Sequence, residues 1–337
     1  MRLAYTRILF RGQILPDAVV YLSDDRRSQK SLSRLVDANI EQNLSNNGNL
    51  AFKAHLGLQS LPGAGAWLTA PPSEDNLKVD PQLFRIALQR RLRQQVQSAD
   101  TFCPMCGSTM DSFGDHALTC QCRGDRTVRH NAVRNVTYSS ARDANMSPER
   151  EKANLLPARP PGDVWDADVT NQQQARQRRR PADVYLPRGV NGSPVALDFA
   201  ATSGMQSGLL RQAPDEPSSV IVAYEEKKRD FRPEGEPDTT EALCLQQGFG
   251  FIPMVLEAHG GGMGKEFRKV VDAIAEQTAA VTGSRSDFCS LIIAQRISVA
   301  LQRENARAIL RRLSEQHDDD TARSTERPPV QAAVSWQ

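Results

Sequence analysis

Four of the six cysteines in this 337-residue chain lie in one short segment, at Cys103, Cys106, Cys120 and Cys122. With His116, three of them form the spacing Cys-x2-Cys-x9-His-x3-Cys, which ends at Cys120. Tetrahedral zinc takes four sulfur or nitrogen ligands from short segments that contain turns, and Gly107 and Gly114 are suited to such turns. The spacing therefore predicts a zinc site in residues 101–120, which we call the cysteine knuckle.

The fourth ligand has alternatives within the sequence. Cys122 follows Cys120 by two residues and could replace it, and His130 is a weaker alternative. Because protein ligands are present for all four positions, we expect a closed structural site and not a catalytic one. A disulfide framework would distribute its cysteines along the chain, so their clustering also indicates a reducing compartment inside the cell.

Charge and hydropathy exclude some classes of function. The chain has 42 Lys and Arg against 40 Asp and Glu, a formal net charge of +2. Attraction to nucleic acid must therefore come from local basic clusters and not from the field of the whole molecule. No run of about 18 apolar residues is present, so we expect neither a membrane span nor a secretory segment.

Changes in periodicity along the chain predict five parts. They are an irregular leader at 1–79, basic helices with the cysteine knuckle at 80–145, a mixed strand and helix domain at 146–282, a C-terminal helix at 283–316 and a disordered tail at 317–337. Glycine and proline clusters mark the loops, and strong apolar periodicity marks the late helices. The domain at 146–282 carries most of the residues with functional chemistry.

Two helices near the cysteine knuckle are basic. Asp80 and Pro81 form a cap and first turn for one helix. Its predicted apolar face contains Phe84, Ala87, Leu88 and Leu92. The second helix runs from Arg126 to Tyr138, is expected to pack on the knuckle, and has apolar residues spaced four apart at Val128, Ala132 and Val136. Six arginines are candidate contacts to nucleic-acid phosphates: Arg126, Arg129, Arg134, Arg178, Arg179 and Arg180.

Two aspartates lie in a predicted hairpin-like pair of short strands, Val184–Leu186 and Val195–Thr202. Asp183 opens the first strand, and Asp198 lies inside the apolar run of the second. Either aspartate alone could be a turn cap or a surface charge. An ionised group within an apolar run is costly, however, unless it is paired or bound to metal. Two carboxylates on adjacent strands are suited to share Mg²⁺, which prefers oxygen ligands.

A lysine beside such a pair of carboxylates would stabilise charge on a phosphate that is being cleaved. Lys227 and Lys228 are the two candidates for this role. A third carboxylate could come from Glu151, which we expect on a preceding helix, with Glu149 as its competitor. Together these residues predict a phosphodiester-cleaving centre.

The order of these motifs resembles a known family. The Cys-Cys-His-Cys knuckle is followed by Arg180-Pro-Ala-Asp183, then Leu197-Asp198, then a lysine-rich helix. This order is similar to the carboxy-terminal region of site-specific non-LTR retrotransposon proteins, which carry a restriction-like endonuclease of the PD-(D/E)xK superfamily. The phrases Gly114-Asp-His-Ala-Leu118 and Gly248-Phe-Gly-Phe-Ile-Pro253 are similar as well, and the resemblance extends over about residues 60–280. From the sequence we expect no reverse transcriptase part in this chain.

The resemblance implies a mixed α/β fold of the restriction-endonuclease type, with a small mixed sheet flanked by helices. It also implies catalytic roles for Glu151, Asp183, Asp198 and either Lys227 or Lys228. Structural Zn²⁺ and catalytic Mg²⁺ are the implied metals, double-stranded DNA and also RNA are the implied partners, and the nucleus is the implied location. Two departures from the family pattern are present: Ala182 separates Pro181 from Asp183, and Ala200 stands where a lysine is expected.

Three functional hypotheses follow from the sequence. The first is an active Mg²⁺-dependent endonuclease that nicks target DNA. The second is a zinc-dependent nucleic-acid-binding protein whose nuclease fold is inert. The third is a decayed retroelement fragment that does not fold even with zinc.

Overall fold

The computed structural model of the protein describes residues 29–156, 181–233 and 237–325. The chain forms two compact units, Met1–Lys53 and Ala54–Gln337. The described part of the first unit contains helix α1, Gln29–Asn47, and the beginning of helix α2, Leu50–Gln59. Asn49 caps α2, because its side-chain oxygen accepts a hydrogen bond from the backbone N–H of Phe52.

The described residues of the second unit contain the remaining elements. The helices are α3 (Pro81–Arg91), α4 (Asp115–Thr119), α5 (Asp125–Asp143), α6 (Ser219–Arg229), α7 (Thr240–Gln246), α8 (Lys265–Thr282) and α9 (Ser286–Thr325). Short 3-10 helices lie at Ala66–Thr69, Cys122–Gly124 and Val190–Gly192. The strands are β1 (Thr101–Phe102), β2 (Thr109–Met110), β3 (Glu149–Arg150), β4 (Val184–Leu186), β5 (Val195–Thr202) and β6 (Gly250–Glu257).

The central sheet has four strands in the order β3-β4-β5-β6. Its first two pairings are antiparallel, and β5 pairs with β6 in parallel. The antiparallel pairing of β4 with β5, in the register Val184 opposite Leu197, confirms the predicted hairpin-like pair. The parallel pairing requires a crossover, and α6 and α7 lie in the chain between β5 and β6. The mixed α/β class with a small sheet flanked by helices is therefore confirmed.

Both faces of the sheet are covered by helices. On one face, Val195, Leu197 and Phe199 of β5 belong to a core cluster that also contains residues of α5, α8 and α9. On the other face, Ala196 packs in a cluster with residues of α7, while Val255 of β6 packs with residues of α6. A strand that is buried on both sides needs an almost continuous apolar run, which explains the sequence of β5.

Helix α9 links three of the core clusters. Ile297 and Leu301 belong to the cluster on the sheet. Val299 packs with Trp67 and neighbouring residues, and Ile309 packs with residues of α3 and α4. The backbone of α9 continues as helix through 317–325, which corrects the expected start of a disordered tail at residue 317.

The irregular leader predicted for residues 1–79 is corrected for its described part, which is largely helical. The polar residues of this part belong to an exposed helix, in which side chains form hydrogen bonds with residues four positions away. The amide of Asn43 donates to the side chain of Asn39, and that of Asn47 donates to the carbonyl of Asn43. Leu35, Val36, Ile40 and Leu44 of α1 recur at helical spacing, a signal that the prediction of an irregular leader missed.

The predicted faces of the two basic helices are also corrected. In α3, Leu83, Ile86 and Ala87 are buried, while Phe84 is 41% exposed and Leu92 lies beyond the helix, 60% exposed. In α5, the face that enters the core contains Val133, Thr137 and Ala141 together with two arginines, and Val128 is 49% exposed. The buried faces of both helices contain arginines. Apolar periodicity assigns charged residues to the exposed face, so it did not identify the buried faces.

The described residues contain no helix that combines the length and the apolar composition needed to cross a membrane.

Phe267 of α8 is fully buried and meets the ring of Phe199 edge to face, with centroids 5.8 Å apart. We predict that Phe267→Ala lowers the free energy of unfolding by about 3–5 kcal/mol, because it removes a large side chain from a packed core. The control is Phe288→Ala, since Phe288 is 56% exposed, and it should change stability by less than about 0.5 kcal/mol. Urea unfolding of both variants measures the difference. Equal losses would contradict the assignment of this core.

Candidate active site and metal centre

The cysteine knuckle is formed by a short hairpin and a short helix. Strands β1 and β2 pair antiparallel, and the turn between them is closed by a bond from Gly107 N–H to the carbonyl of Cys103. The side chain of Asp111 accepts bonds from the N–H groups of Phe113, Asp115 and His116, which lie at the start of α4. This arrangement satisfies donors that a helix N-terminus otherwise leaves open.

The knuckle brings together the four ligands that the spacing predicted. The ligand atoms of Cys103, Cys106, His116 and Cys120 all lie within 4.8 Å of one another. Cys103 and Cys120 are buried, whereas Cys106 and His116 face outward. Three sulfurs and one imidazole nitrogen form a donor set that could hold a metal ion such as zinc. Within the described ranges, no other group of three or more His, Cys, Asp or Glu ligand atoms is this compact.

The two alternative ligands lie outside this group. Cys122 begins the 3-10 helix after α4 and does not belong to the compact set. His130 is on α5, and its Nε2 lies 3.1 Å from Oδ1 of Asp183. The predicted choice of Cys120 therefore agrees with the structure.

Arg312 of α9 joins the knuckle to the core. Its side chain is fully buried, and its Nη1 donates to Oδ2 of Asp125 at 2.6 Å. Burial lowers the pKa of Arg312, but the nearby thiol of Cys120 and the carboxylate of Asp125 outweigh burial and raise it. The hydrogen bond of Arg312 lowers the pKa of Cys103, although burial raises that pKa overall.

Asp183 and Asp198 lie on neighbouring strands at one cavity. The β4–β5 register, continued by one residue, places Asp183 opposite Asp198, and Asp183 N–H donates to the carbonyl of Leu197. A cavity of about 560 Å³, which we call the acidic cavity, is lined by both aspartates. It is also lined by Glu151 and Lys228. The structure therefore brings four of the predicted residues together at this cavity.

Each aspartate has a side-chain partner. Nζ of Lys228 lies 2.7 Å from Oδ2 of Asp198. Nε2 of His130 lies 3.1 Å from Oδ1 of Asp183. Oδ2 of Asp183 accepts a hydrogen bond from the backbone N–H of Phe199 at 2.7 Å. Both carboxylates are 21% exposed, so they are partly screened from water but remain open to a ligand in the cavity.

The two carboxyl groups have pKa values shifted in opposite directions. Burial raises the pKa of Asp183, but the hydrogen bond and charge of His130, with smaller help from Phe199 N–H and Lys228, bring it below its ordinary value. Burial also raises the pKa of Asp198, and here the attraction of Lys228 does not fully offset it, partly because Asp183 is a like charge nearby. Two acids with divergent pKa values in one cavity are typical of functional sites.

The structure distinguishes the two candidate lysines. Lys228 forms the ion pair with Asp198 inside the acidic cavity. Lys227 is exposed, and its Nζ lies 5.8 Å from the ring centre of Tyr224. Consecutive residues on a helix point about 100° apart, so only one of the two can enter the cavity.

Glu151 reaches the acidic cavity from an unexpected element. It follows β3, not a helix, and its N–H donates to the carbonyl of Asp183. Its φ of 45° lies in the left-handed region, and Nη1 of Arg134 lies 2.8 Å from its Oε1. Glu149, the competitor, is exposed and bonds to Lys152. The prediction of Glu151 over Glu149 agrees with this placement, while the predicted helix is corrected.

The candidate phosphate-binding arginines differ in whether their side chains are available to a ligand. Arg129 is buried and donates to the carbonyl of Leu118 and to Asn305, and Arg134 is paired with Glu151, so neither is free to bind phosphate. Arg126 is exposed and lines the acidic cavity, and no described residue forms a hydrogen bond or ion pair with it. Residues 178–180, with Arg178, Arg179 and Arg180, lie outside the described residues.

A second polar cluster was not predicted from the sequence. Glu257 ends β6 with its side chain fully buried, and its Oε2 accepts the N–H groups of His259 and Gly260. The buried ring of His259 lies 2.8 Å from both Nη2 of Arg90 and Oγ of Ser203. The sequence indicated this cluster only through Glu257, an acid that ends an apolar run. This pattern is similar to the acid within an apolar run that pointed to Asp198.

Burial dominates the pKa values in this cluster. It raises the pKa of Glu257 to about 7, although the N–H groups of His259 and Gly260 and the charge of Arg90 oppose the shift. Burial also lowers the pKa of His259 well below its ordinary value, and the charge of Arg90 lowers it further. The cluster therefore connects α3 to the end of the sheet through groups whose charge depends on pH.

Comparison with the models of known protein families finds no match. Comparison with curated proteins also finds no significantly similar sequence.

Glu257 generates a prediction about stability and pH. Its pKa is raised in the folded state, so this group stabilises the fold at low pH and loses that contribution as pH rises from about 4.5 to about 7. We predict that the unfolding free energy of Glu257→Gln minus that of the unsubstituted protein increases across this window, on the order of 2–3 kcal/mol. Urea unfolding at a series of pH values measures this difference.

The matched control for that experiment is Glu276→Gln, which replaces an exposed glutamate of α8. Its difference from the unsubstituted protein should stay constant between the same pH values. Taking differences removes the opposite contribution of His259, which is lost as pH falls. A flat difference for Glu257→Gln would contradict the prediction.

Proposed function

We propose that this protein is a metal-dependent endonuclease that cleaves DNA at the acidic cavity. The observation that carries the proposal is the meeting of Asp183 and Asp198 on adjacent strands, with Lys228 bonded to one of them. The opposite pKa shifts of the two aspartates support it. We further propose that the chain is the nuclease part of a retrotransposon-type protein that acts in the nucleus, on the basis of its motif order.

Asp183 and Asp198 are the residues that would hold Mg²⁺. Their carboxylate oxygens fit the preference of this cation, which commonly takes one or two carboxylates and keeps its remaining positions for water and phosphate oxygens. When bound, Mg²⁺ supplies charge stabilisation to the phosphate and a more acidic water. The partial burial of both carboxylates strengthens their attraction for any cation in the cavity.

Lys228 has two functions in this proposal. In the described state it neutralises Asp198. With DNA present, its ammonium group lies where it can donate to the cleaved phosphate and stabilise the negative charge that develops there. Glu151 provides a third carboxylate at the cavity, and Arg134 positions it through their ion pair.

The second hypothesis, an inert nucleic-acid-binding protein, is favoured by one observation. Both aspartates are already paired without metal, one with Lys228 and one with His130. This arrangement would also be stable if the cavity had only a structural role. The two hypotheses differ in their response to substitution of the acids.

We predict that the purified protein nicks supercoiled plasmid only when Mg²⁺ is present, and that Asp198→Asn and Lys228→Ala each reduce the rate by at least about 100-fold. The first variant loses a carboxylate that would hold Mg²⁺, and the second loses a positive charge beside the reacting phosphate. Glu149→Gln is the control, since Glu149 lies outside the acidic cavity, and it should retain the full rate. Gel quantification of nicked plasmid measures the rates. Absence of nicking in the unsubstituted protein would support the inert alternative, and nicking that persists in Asp198→Asn would contradict cleavage at the acidic cavity.

We also propose that the cysteine knuckle holds one structural Zn²⁺. We predict one zinc per chain by atomic absorption, and loss of this zinc in Cys120→Ser because one of four ligands is removed. A lower melting temperature should accompany the loss, since zinc binding contributes to folding. Cys122→Ser is the matched control and should keep its zinc. If Cys122→Ser loses zinc and Cys120→Ser does not, the ligand set is wrong.

A further inference from the structure

A second cavity adjoins the acidic cavity. Its volume is about 680 Å³, and we call it the knuckle cavity because residues of α4, including His116 and Thr119, line one side. Ser207, which follows β5, and Lys227 on α6 also line this cavity. Five residues line both cavities: Gln121, Arg126, Arg129, Ala201 and Tyr224. The two cavities therefore form one continuous trough from Asp198 to the cysteine knuckle.

The trough has two exposed cations without an acidic partner. Arg126 and Lys227 are both exposed, and neither forms an ion pair with any of the described residues. The two aspartates that line the knuckle cavity already have hydrogen-bond or ion-pair partners. Asp111 accepts backbone N–H groups at the start of α4, and Asp115 is paired with Arg93 at 2.7 Å. The available charge in the trough is therefore positive, which favours an anionic ligand.

Tyr224 stands where the two cavities meet. It lies on α6, is partly exposed, and has Nζ of Lys227 5.8 Å from its ring centre. An aromatic face flanked by cations is the arrangement that proteins use to bind single nucleic-acid strands, with bases on the ring and phosphates on the cations. Polar side chains of Gln121, Gln206 and Ser207 supply further hydrogen-bonding groups.

The dimensions favour one strand over a duplex. A cavity of about 680 Å³ is of the size that encloses a small molecule. The major groove of a DNA duplex alone is about 12 Å wide, so a duplex would lie on the surface and not inside such a cavity. An unpaired nucleotide or two can enter it.

We propose that the knuckle cavity binds a short unpaired segment of the nucleic-acid strand adjacent to the phosphate that is cleaved. Arg126 and Lys227 bind its phosphates, and Tyr224 stacks on a base. The inference rests on the proposed function for the position of the cleaved phosphate, but strand binding itself is independent of cleavage. It assigns Lys227, the lysine that does not enter the acidic cavity, to substrate binding.

The test is fluorescence anisotropy with a labelled oligodeoxythymidine of about 12 nucleotides, within the usual site size of such proteins. The zinc-loaded full chain is used, with no Mg²⁺ added, at several salt concentrations. Arg126→Ala and Lys227→Ala should each weaken binding about 5-fold or more and reduce the salt slope by about 0.7, because each removes one contact to a single-strand phosphate.

Tyr224 has a different expected signature. Tyr224→Ala should weaken binding about 10-fold with little change in the salt slope, because stacking releases no counterions. Tyr224→Phe should keep most of the affinity, since the ring is retained. Arg268→Ala is the charge-matched control, because Arg268 is exposed on α8 and lines neither cavity, and it should bind like the unsubstituted protein.

Three results would overturn the inference. They are unchanged affinity in the Arg126, Lys227 and Tyr224 variants, an equal loss in Arg268→Ala, and binding by Tyr224→Phe that is as weak as binding by Tyr224→Ala. The plasmid assay separates this inference from the proposed function. Nicking with no strand-binding phenotype leaves the nuclease proposal intact and rejects the knuckle cavity. Strand binding with no nicking supports strand binding in the knuckle cavity and rejects the nuclease proposal.

Discussion

The burial of Asp198 within an apolar strand is the constraint on which this structure depends. A lone ionised carboxylate in that position would oppose folding by several kcal/mol. Lys228 offsets this cost directly at 2.7 Å, and His130 does the same for Asp183 on the neighbouring strand. Three elements, β5, α6 and α5, must therefore meet at one point, and that meeting defines the acidic cavity.

Local chemistry could be predicted from the sequence where it depended on spacing. The knuckle ligands, including Cys120 in preference to Cys122, follow from the size of a metal coordination sphere. The register that places Asp183 opposite Asp198 follows from the short connection between two β-prone runs. The late helices followed from periodicity, whereas the mixed sheet was implied by the family resemblance.

The remaining features depend on contacts between distant segments, which no local pattern records. The buried arginines Arg90 and Arg129 occupy core faces where periodicity predicts apolar residues. From the sequence, His130 was considered only as a metal ligand, because its partner Asp183 lies 53 residues later in the chain. The choice between Lys227 and Lys228 needed the phase of α6 relative to the sheet.

The origin of Lys228 has a consequence for how the centre comes into being. Both aspartates belong to adjacent strands, but the lysine arrives on the crossover helix between β5 and β6. A chain with the hairpin formed and the crossover still undocked would carry two acids with no ammonium beside them. The acidic cavity thus acquires its ammonium group only when the crossover helix docks on the sheet, so its charge balance depends on a contact between distant segments.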